Sequence, residues 1–253
     1  MVNCSLRKIL LTVEYFGKNY AGWQCQKGQQ SVQGVLEEKL SKALNQQIKV
    51  YGSGRTDAKA HALGQRAHFF YAGNMPCEKI ASAVNCHLPD DIRITESVEI
   101  FDSDFHAQYS AKSKTYMYKF YISRTLSPIR NLTAAQIPCH ESKVDFEKMQ
   151  RAVKNLIGTH DFKGFSSVGS GIKNTVRTIF DASLTKKDNE ITLVIKGNGF
   201  LYNMVRIIAG TLVWIGIGRL GEDAIEKTLQ SGLRKNAGKT FPAHGLTLLS
   251  VEY

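Results

Sequence analysis

The side chains best suited to chemistry stand together in Gly52-Ser53-Gly54-Arg55-Thr56-Asp57-Ala58-Lys59-Ala60-His61. Two glycines around a serine allow a tight turn whose backbone a ligand can approach. Arg55 and Asp57 follow on that turn, a cation two residues from a carboxylate. Such a pair suits a place where a phosphate and a reacting sugar meet. A surface turn closed by an Arg–Asp ion pair would be spelled the same way. Other chemistries fail on spelling. A phosphate-cradling P-loop needs Lys-Ser/Thr after its last glycine, and Gly54 is followed by Arg55-Thr56. A zinc nucleobase deaminase needs His-x-Glu and Pro-Cys-x-x-Cys. Here His61 is followed by Ala62-Leu63, and Pro76-Cys77 by Glu78-Lys79-Ile80. Cys139-His140 lacks companion ligands at metal-site spacing, so no metal site is expected. No serine lies in Gly-x-Ser-x-Gly.

Alternating strands and helices must position these groups. Leu6 to Tyr15 reads as an aliphatic strand. Ser31 reads as an N-cap before Val32, Val35, Leu36, Leu40 and Leu44 at helical spacing. A short strand from Ile48 to Tyr51 leads into the Arg55–Asp57 turn, and Ala67 to Tyr71 is a second. Pro76 opens a helix running to about Cys86, and Ile92 to Phe101 alternates as a strand. The order β-α-β-β-α-β is that of a ferredoxin-like or RNA-recognition-type unit. The second half repeats it loosely. Thr115 to Ser123 is a strand and Asp145 to Ile157 a helix stopped by Gly158. Val176–Thr185 and Glu190–Lys196 form a hairpin, Phe200–Ile215 and Gly221–Gln230 are helices, and Leu246–Tyr253 is a strand. The expected fold is α+β, with two ferredoxin-like halves and antiparallel sheets. The halves are expected at residues 1–106 and 107–253, the last strand (245–253) packing back on the N-terminal half.

Composition narrows the partner. With 43% hydrophobic and 22% charged residues, the 253-residue chain is globular rather than disordered. Thirty-three basic against 22 acidic residues leave a net charge of +11. That balance favours a polyanion, nucleic acid before anionic membrane, over a cationic substrate. A solvated basic surface would carry the same charge. Lys112, Lys114, Lys119, Arg124 and Arg130 interleave with aromatics and could track phosphates, or lie on a solvated strand face. Cysteines 4, 25, 77, 86 and 139 are odd in number, with no two three residues apart. This suggests neither a disulfide framework nor a zinc knuckle, and fits a reducing cytoplasm. The apolar run between Gly199 and Gly218 contains Arg206, whose placement at a bilayer centre would cost about 2.5–3.5 kcal/mol. A buried helix, not a membrane span, is expected. An arginine within it needs a buried partner or an exit to solvent.

The stretch GSGRTDAKAHALGQ, residues 52–65, closely resembles the catalytic loop of the tRNA pseudouridine synthase A family. Further blocks do so in order along nearly the whole chain. They are Tyr15-Phe16-Gly17 with Tyr20-Ala21-Gly22-Trp23-Gln24, and Ser31-Val32-Gln33-Gly34 with Leu36-Glu37. Asp104-Phe105-His106-Ala107 follows with Ser110-Ala111 and Tyr116-Met117-Tyr118, then 200–206 (FLYNMVR) and Ala243-His244-Gly245-Leu246. One departure stands inside the loop: Lys59-Ala60 replaces the Gly-Val frequent in the family.

The resemblance implies a pseudouridine synthase fold whose halves flank a central catalytic cleft. It implies an enzyme that detaches uracil from C1′ of a uridine, rotates it and reattaches it through C5, without a cofactor. Asp57 is then the catalytic carboxylate. Attack at C1′, assistance to a glycal and addition to the base all remain open as its role. Each requires an ionised acid, and a partly dry site disfavours that form unless a fixed cation stands near. The resemblance assigns that cation to Arg206. It assigns Arg55 to RNA phosphate and to the space left by a flipped uridine, an extrusion costing a few kcal/mol. Tyr116 stacks on the uracil and handles the proton at C5; a strand aromatic in the core is its plainer explanation. Phe105, His106, Ala107, Gln108 and Tyr109 line the tRNA groove, or simply link the halves. His61 and His68 are expected to be hydrogen-bonded scaffold. The family acts as a homodimer on uridines 38 to 40 of the tRNA anticodon arm, and no membrane is involved. A non-catalytic RNA binder, or a related synthase with shifted targets, would share much of this sequence.

Overall fold

The computed structural model describes residues 6–167 and 174–253; Cys4 lies outside them. In chain order the elements are β1 (Arg7–Tyr15), α1 (Val32–Leu44), β2 (Tyr51–Gly52), β3 (His61–Tyr71), α2 (Cys77–Asn85) and β4 (Ile92–Ile100). Then follow β5 (Ser113–Ile122), β6 (Ala135–Ile137), α3 (Phe146–Lys154), β7 (Gly158–Asp161), β8 (Val176–Lys187) and β9 (Glu190–Gly197). The chain closes with α4 (Met204–Gly216), α5 (Ala224–Ser231) and β10 (Leu246–Glu252). They form two compact units, Met1–Lys112 with Leu248–Tyr253, and Ser113–Thr247. Both are α+β, as the element order predicts.

In the first unit the strand order is β4-β1-β3-β10, with β2 paired to β3. β1 runs antiparallel to both β3 and β4. Its aliphatic residues fit that inner place: Ile9, Leu10, Leu11 and Val13 are all buried. α1 starts where the Ser31 hydroxyl accepts the Gly34 N–H at 3.2 Å, and ends at Asn45 with φ 48°. Its buried leucines 36, 40 and 44 each contribute about 1.5–3 kcal/mol. Pro76 is the residue before α2 rather than part of its first turn. β3 begins six residues earlier than its apolar stretch predicts, so the strand includes polar Gln65 and Arg66. Residues 107–112 run with this unit: Tyr253 Oη donates to the Ala107 carbonyl at 2.9 Å, and the Lys112 N–H to Glu252 O at 2.8 Å.

The second unit orders its strands β5-β9-β8-β7, antiparallel, with β6 parallel to β5. β5 buries Tyr116, Tyr118 and Phe120 on one face, the near-alternation visible in the sequence. α4 starts at Met204, not Phe200. Asn203 takes φ 62°, a left-handed conformation that the α-helix cannot incorporate. Tyr202 therefore precedes the helix and does not share a helix face with Arg206. α4 is buried nearly all round but only 13 residues long. No helix among the described residues is long and apolar enough to cross a membrane.

Candidate active site

The loop between β2 and β3 is a braced platform. Ser53 Oγ donates to Gln65 Oε1 at 2.7 Å, and Gln65 Nε2 donates back to Gly54 O at 3.0 Å. Both side chains are fully buried. The Ser53 N–H reaches Arg66 O at 2.7 Å. On the other side, Tyr15 Oη and Thr56 Oγ1 share a buried hydrogen bond of 2.7 Å, and the Trp23 N–H donates to Thr56 O. Two glycines permit this packing. A Cβ on Gly52 would stand 2.4 Å from the Trp23 ring nitrogen, and one on Gly22, at φ +100°, 2.5 Å from Thr56 O. The aromatic and glycine residues of 15–24, quoted above as a block of the family resemblance, are thus the loop's support.

On this platform Asp57 is half-buried and Arg55 and Lys59 are exposed. The Ala60 N–H bonds Asp57 O at 3.1 Å, closing a turn in which Lys59 has φ 69°. A left-handed non-glycine residue costs about 1–2 kcal/mol. His61 Nδ1 accepts the Gly17 N–H at 3.0 Å, and its ring stacks on Phe16. This is the expected scaffold role.

His68 is scaffold too. It is buried, and its Nδ1 accepts the Ala107 N–H at 3.2 Å. Burial first, then the charges of His106 and Lys8, push its imidazole down to about 4. Ala107 is fully buried and Phe105 packs on Tyr253, whereas Gln108 and Tyr109 are exposed and His106 is half-buried. Lys8 fastens the approach to this segment. Its ammonium donates to the carbonyls of Asp102, Ser103 and Phe105 at 2.9, 2.7 and 2.7 Å. The stretch 105–109 therefore divides into residues that anchor it and residues that can meet a ligand.

In the second unit the Arg206 guanidinium is held by its own neighbours. Nε donates to Phe241 O at 2.8 Å and Nη1 to Asn203 Oδ1 at 2.6 Å. Asn203 in turn donates to Ser167 Oγ at 2.9 Å. The sequence did not single out Asn203, although asparagine is the side chain, after glycine, that best tolerates a positive φ. Tyr116 is buried on β5 and meets Phe200 edge-on at 5.0 Å. Two places along, Tyr118 donates to Pro242 O at 2.6 Å; burial raises its phenol well above the ordinary range, against the opposing charge of Arg206. The basic residues of this region do not form one row. Lys114 shares the strand face of Tyr116 and is pushed down by burial to about 8, Lys119 points to the other face, and Arg130 pairs with Glu190.

A sequence profile of the tRNA pseudouridine synthase family matches residues 11–110 and 152–253. The tRNA pseudouridine synthase A of Acetivibrio thermocellus is 45% identical over 248 residues, covering 98% of this chain and 100% of its own. That of Ruminiclostridium cellulolyticum is 45% identical over 251 residues, with the same coverage. That of Lacticaseibacillus casei is 43% identical over 246 residues, 96% of this chain and 98% of its own. Among solved structures, the archaeal box H/ACA sRNP Nop10-Cbf5 complex aligns with a TM-score of 0.38 at 10% identity. It covers 94% of this chain and 46% of that one, too distant a likeness to bear on the assignment. The close likenesses run end to end, through the braced Asp57 loop and through α4 alike, and on them this chain belongs to the tRNA pseudouridine synthase family.

Proposed function

We propose that the protein isomerises uridine to pseudouridine at positions 38 to 40 of the tRNA anticodon arm, as a cytoplasmic homodimer and without a cofactor. Asp57 is the catalytic carboxylate, and Arg206 supplies its counter-charge. Tyr116 packs on the uracil and handles the proton lost from C5. Arg55 grips phosphate and fills the space of the extruded nucleotide, while Phe105, His106, Ala107, Gln108 and Tyr109 line the groove. Ala107, being buried, serves there through its backbone anchor. The reaction breaks the C1′–N1 bond, forms C1′–C5 and moves one proton, so it balances without oxidant or metal.

The observation that carries this reading is the loop itself. An exposed arginine and a half-buried carboxylate sit on backbone braced from both flanks. Rigid backbone holds a reacting group in place at no further ordering cost during reaction. The net charge of +11 supplies the attraction for RNA. The test incubates wild type and Asp57→Asn with unmodified tRNA transcripts and maps pseudouridine. The variant is expected to lose turnover by about three orders of magnitude or more while binding tRNA as before. Wild type that binds but isomerises no uridine would establish an RNA binder instead. Pseudouridine formed only outside positions 38 to 40 would establish a synthase with shifted targets.

A further inference from the structure

We infer that Lys59 is a second phosphate-gripping arm of the Asp57 loop, acting together with Arg55 on the RNA backbone. The inference rests on the tRNA reading above. Lys59 occupies the third position of the Asp57–Ala60 turn at φ 69°, where glycine or asparagine is the unstrained choice. Its backbone is fixed there by its N–H on Tyr20 O at 3.2 Å. The side chain contributes nothing to the fold in return: it is exposed, and no hydrogen bond or ion pair engages it among the described residues. Strained backbone that surrounding structure over-determines is a mark of functional positions. The same holds for the side chain of Arg55, two residues before Asp57 as Lys59 is two residues after it. Two unneutralised cations bracketing a carboxylate match a phosphodiester on either side of one nucleotide. A cation presented only for solubility would need no left-handed backbone.

The experiment uses the full chain and unmodified tRNA transcripts carrying uridines at 38 to 40. It measures binding across salt, saturating turnover and melting for Lys59→Gln, Lys59→Gly and, as a charge control, exposed Lys79→Gln on α2. Both Lys59 variants are expected to bind about three- to tenfold more weakly near physiological salt, with a log–log salt slope shallower by about one. Their saturating turnover stays within about twofold of wild type, and Lys59→Gly melts no lower, because glycine relieves the turn. Lys79→Gln changes none of these. Wild-type binding and slope in both Lys59 variants would overturn the inference. So would an equal loss in Lys79→Gln, which would mean net charge alone, or recovery in Lys59→Gly, which would mean loop conformation. If wild type isomerises no uridine yet the Lys59 slope change persists, the isomerase reading fails and the arm stands. If wild type is active and both variants match it, the arm fails and the isomerase reading stands.

Discussion

Single side chains here act largely by holding backbone. His68 is the clearest, its ring accepting the Ala107 N–H inside the first unit. The folded protein keeps it neutral down to about pH 4, whereas the unfolded chain takes up the proton near 6.5. Between those values the unfolded state binds more protons. The stabilisation is therefore complete above about 6.5 and is lost as pH falls towards 4, by about 3 kcal/mol at most. Urea unfolding of wild type and His68→Gln across this window checks it: the variant should show the shallower decline, and parallel curves would refute the role. Paired carboxylates such as Glu99 and Asp145 lose stability in the same direction, so only the difference between the curves counts. Asn203 lends itself to a second test. Asn203→Gly keeps the left-handed backbone and removes the bonds to Arg206 and Ser167; Asn203→Ala adds strain. The alanine variant should be less stable than the glycine variant by about 1 kcal/mol. Both should turn over more slowly than wild type, because Arg206 loses its 2.6 Å acceptor. Wild-type turnover in both would show that Arg206 does not depend on this support.

At the scale of elements, what the sequence made legible was periodic, and what it hid was short or cross-braced. β1, α1 and the β8–β9 hairpin announce themselves because long runs repeat a single face. β6 and β7, three and four residues long, carry too little pattern to register. The first half of β3 escapes because Gln65 is buried as part of a brace while being spelled as a surface residue. Arg55 and Asp57 were legible by type and spacing; the Ser53–Gln65 and Tyr15–Thr56 bonds that fix them join residues 12 and 41 apart and leave no local trace. The brace makes its own prediction. Gln65→Ala removes the buried bonds to Ser53 Oγ and Gly54 O and should lower stability by about 1–3 kcal/mol. Single-turnover rates should fall more than tRNA affinity, since the loop's aim suffers and its surface cations do not. A loss of stability at unchanged rate would mean that the brace serves folding alone.

For the whole molecule the governing quantity is the surplus of eleven positive charges. Many carboxylates are already committed to ion pairs: Glu96, Glu99, Asp145, Glu190 and Glu222 each face a lysine or arginine. Such pairs near the surface explain little of the stability. Among the described residues no such ion pair engages Arg55 or Lys59. The field left over should draw RNA in and make its binding a counterion-release process. If about four phosphates are neutralised, the log–log slope is about −3, which weakens tRNA binding about sixtyfold between 50 and 200 mM salt. Saturating turnover should stay nearly constant over that range, because salt screens the encounter rather than the bond exchange at C1′. Filter binding and turnover on one tRNA transcript, measured side by side, separate the two. Affinity indifferent to salt would mean that the basic surplus is solvated surface, and that recognition rests on base stacking and shape around the exposed Tyr109.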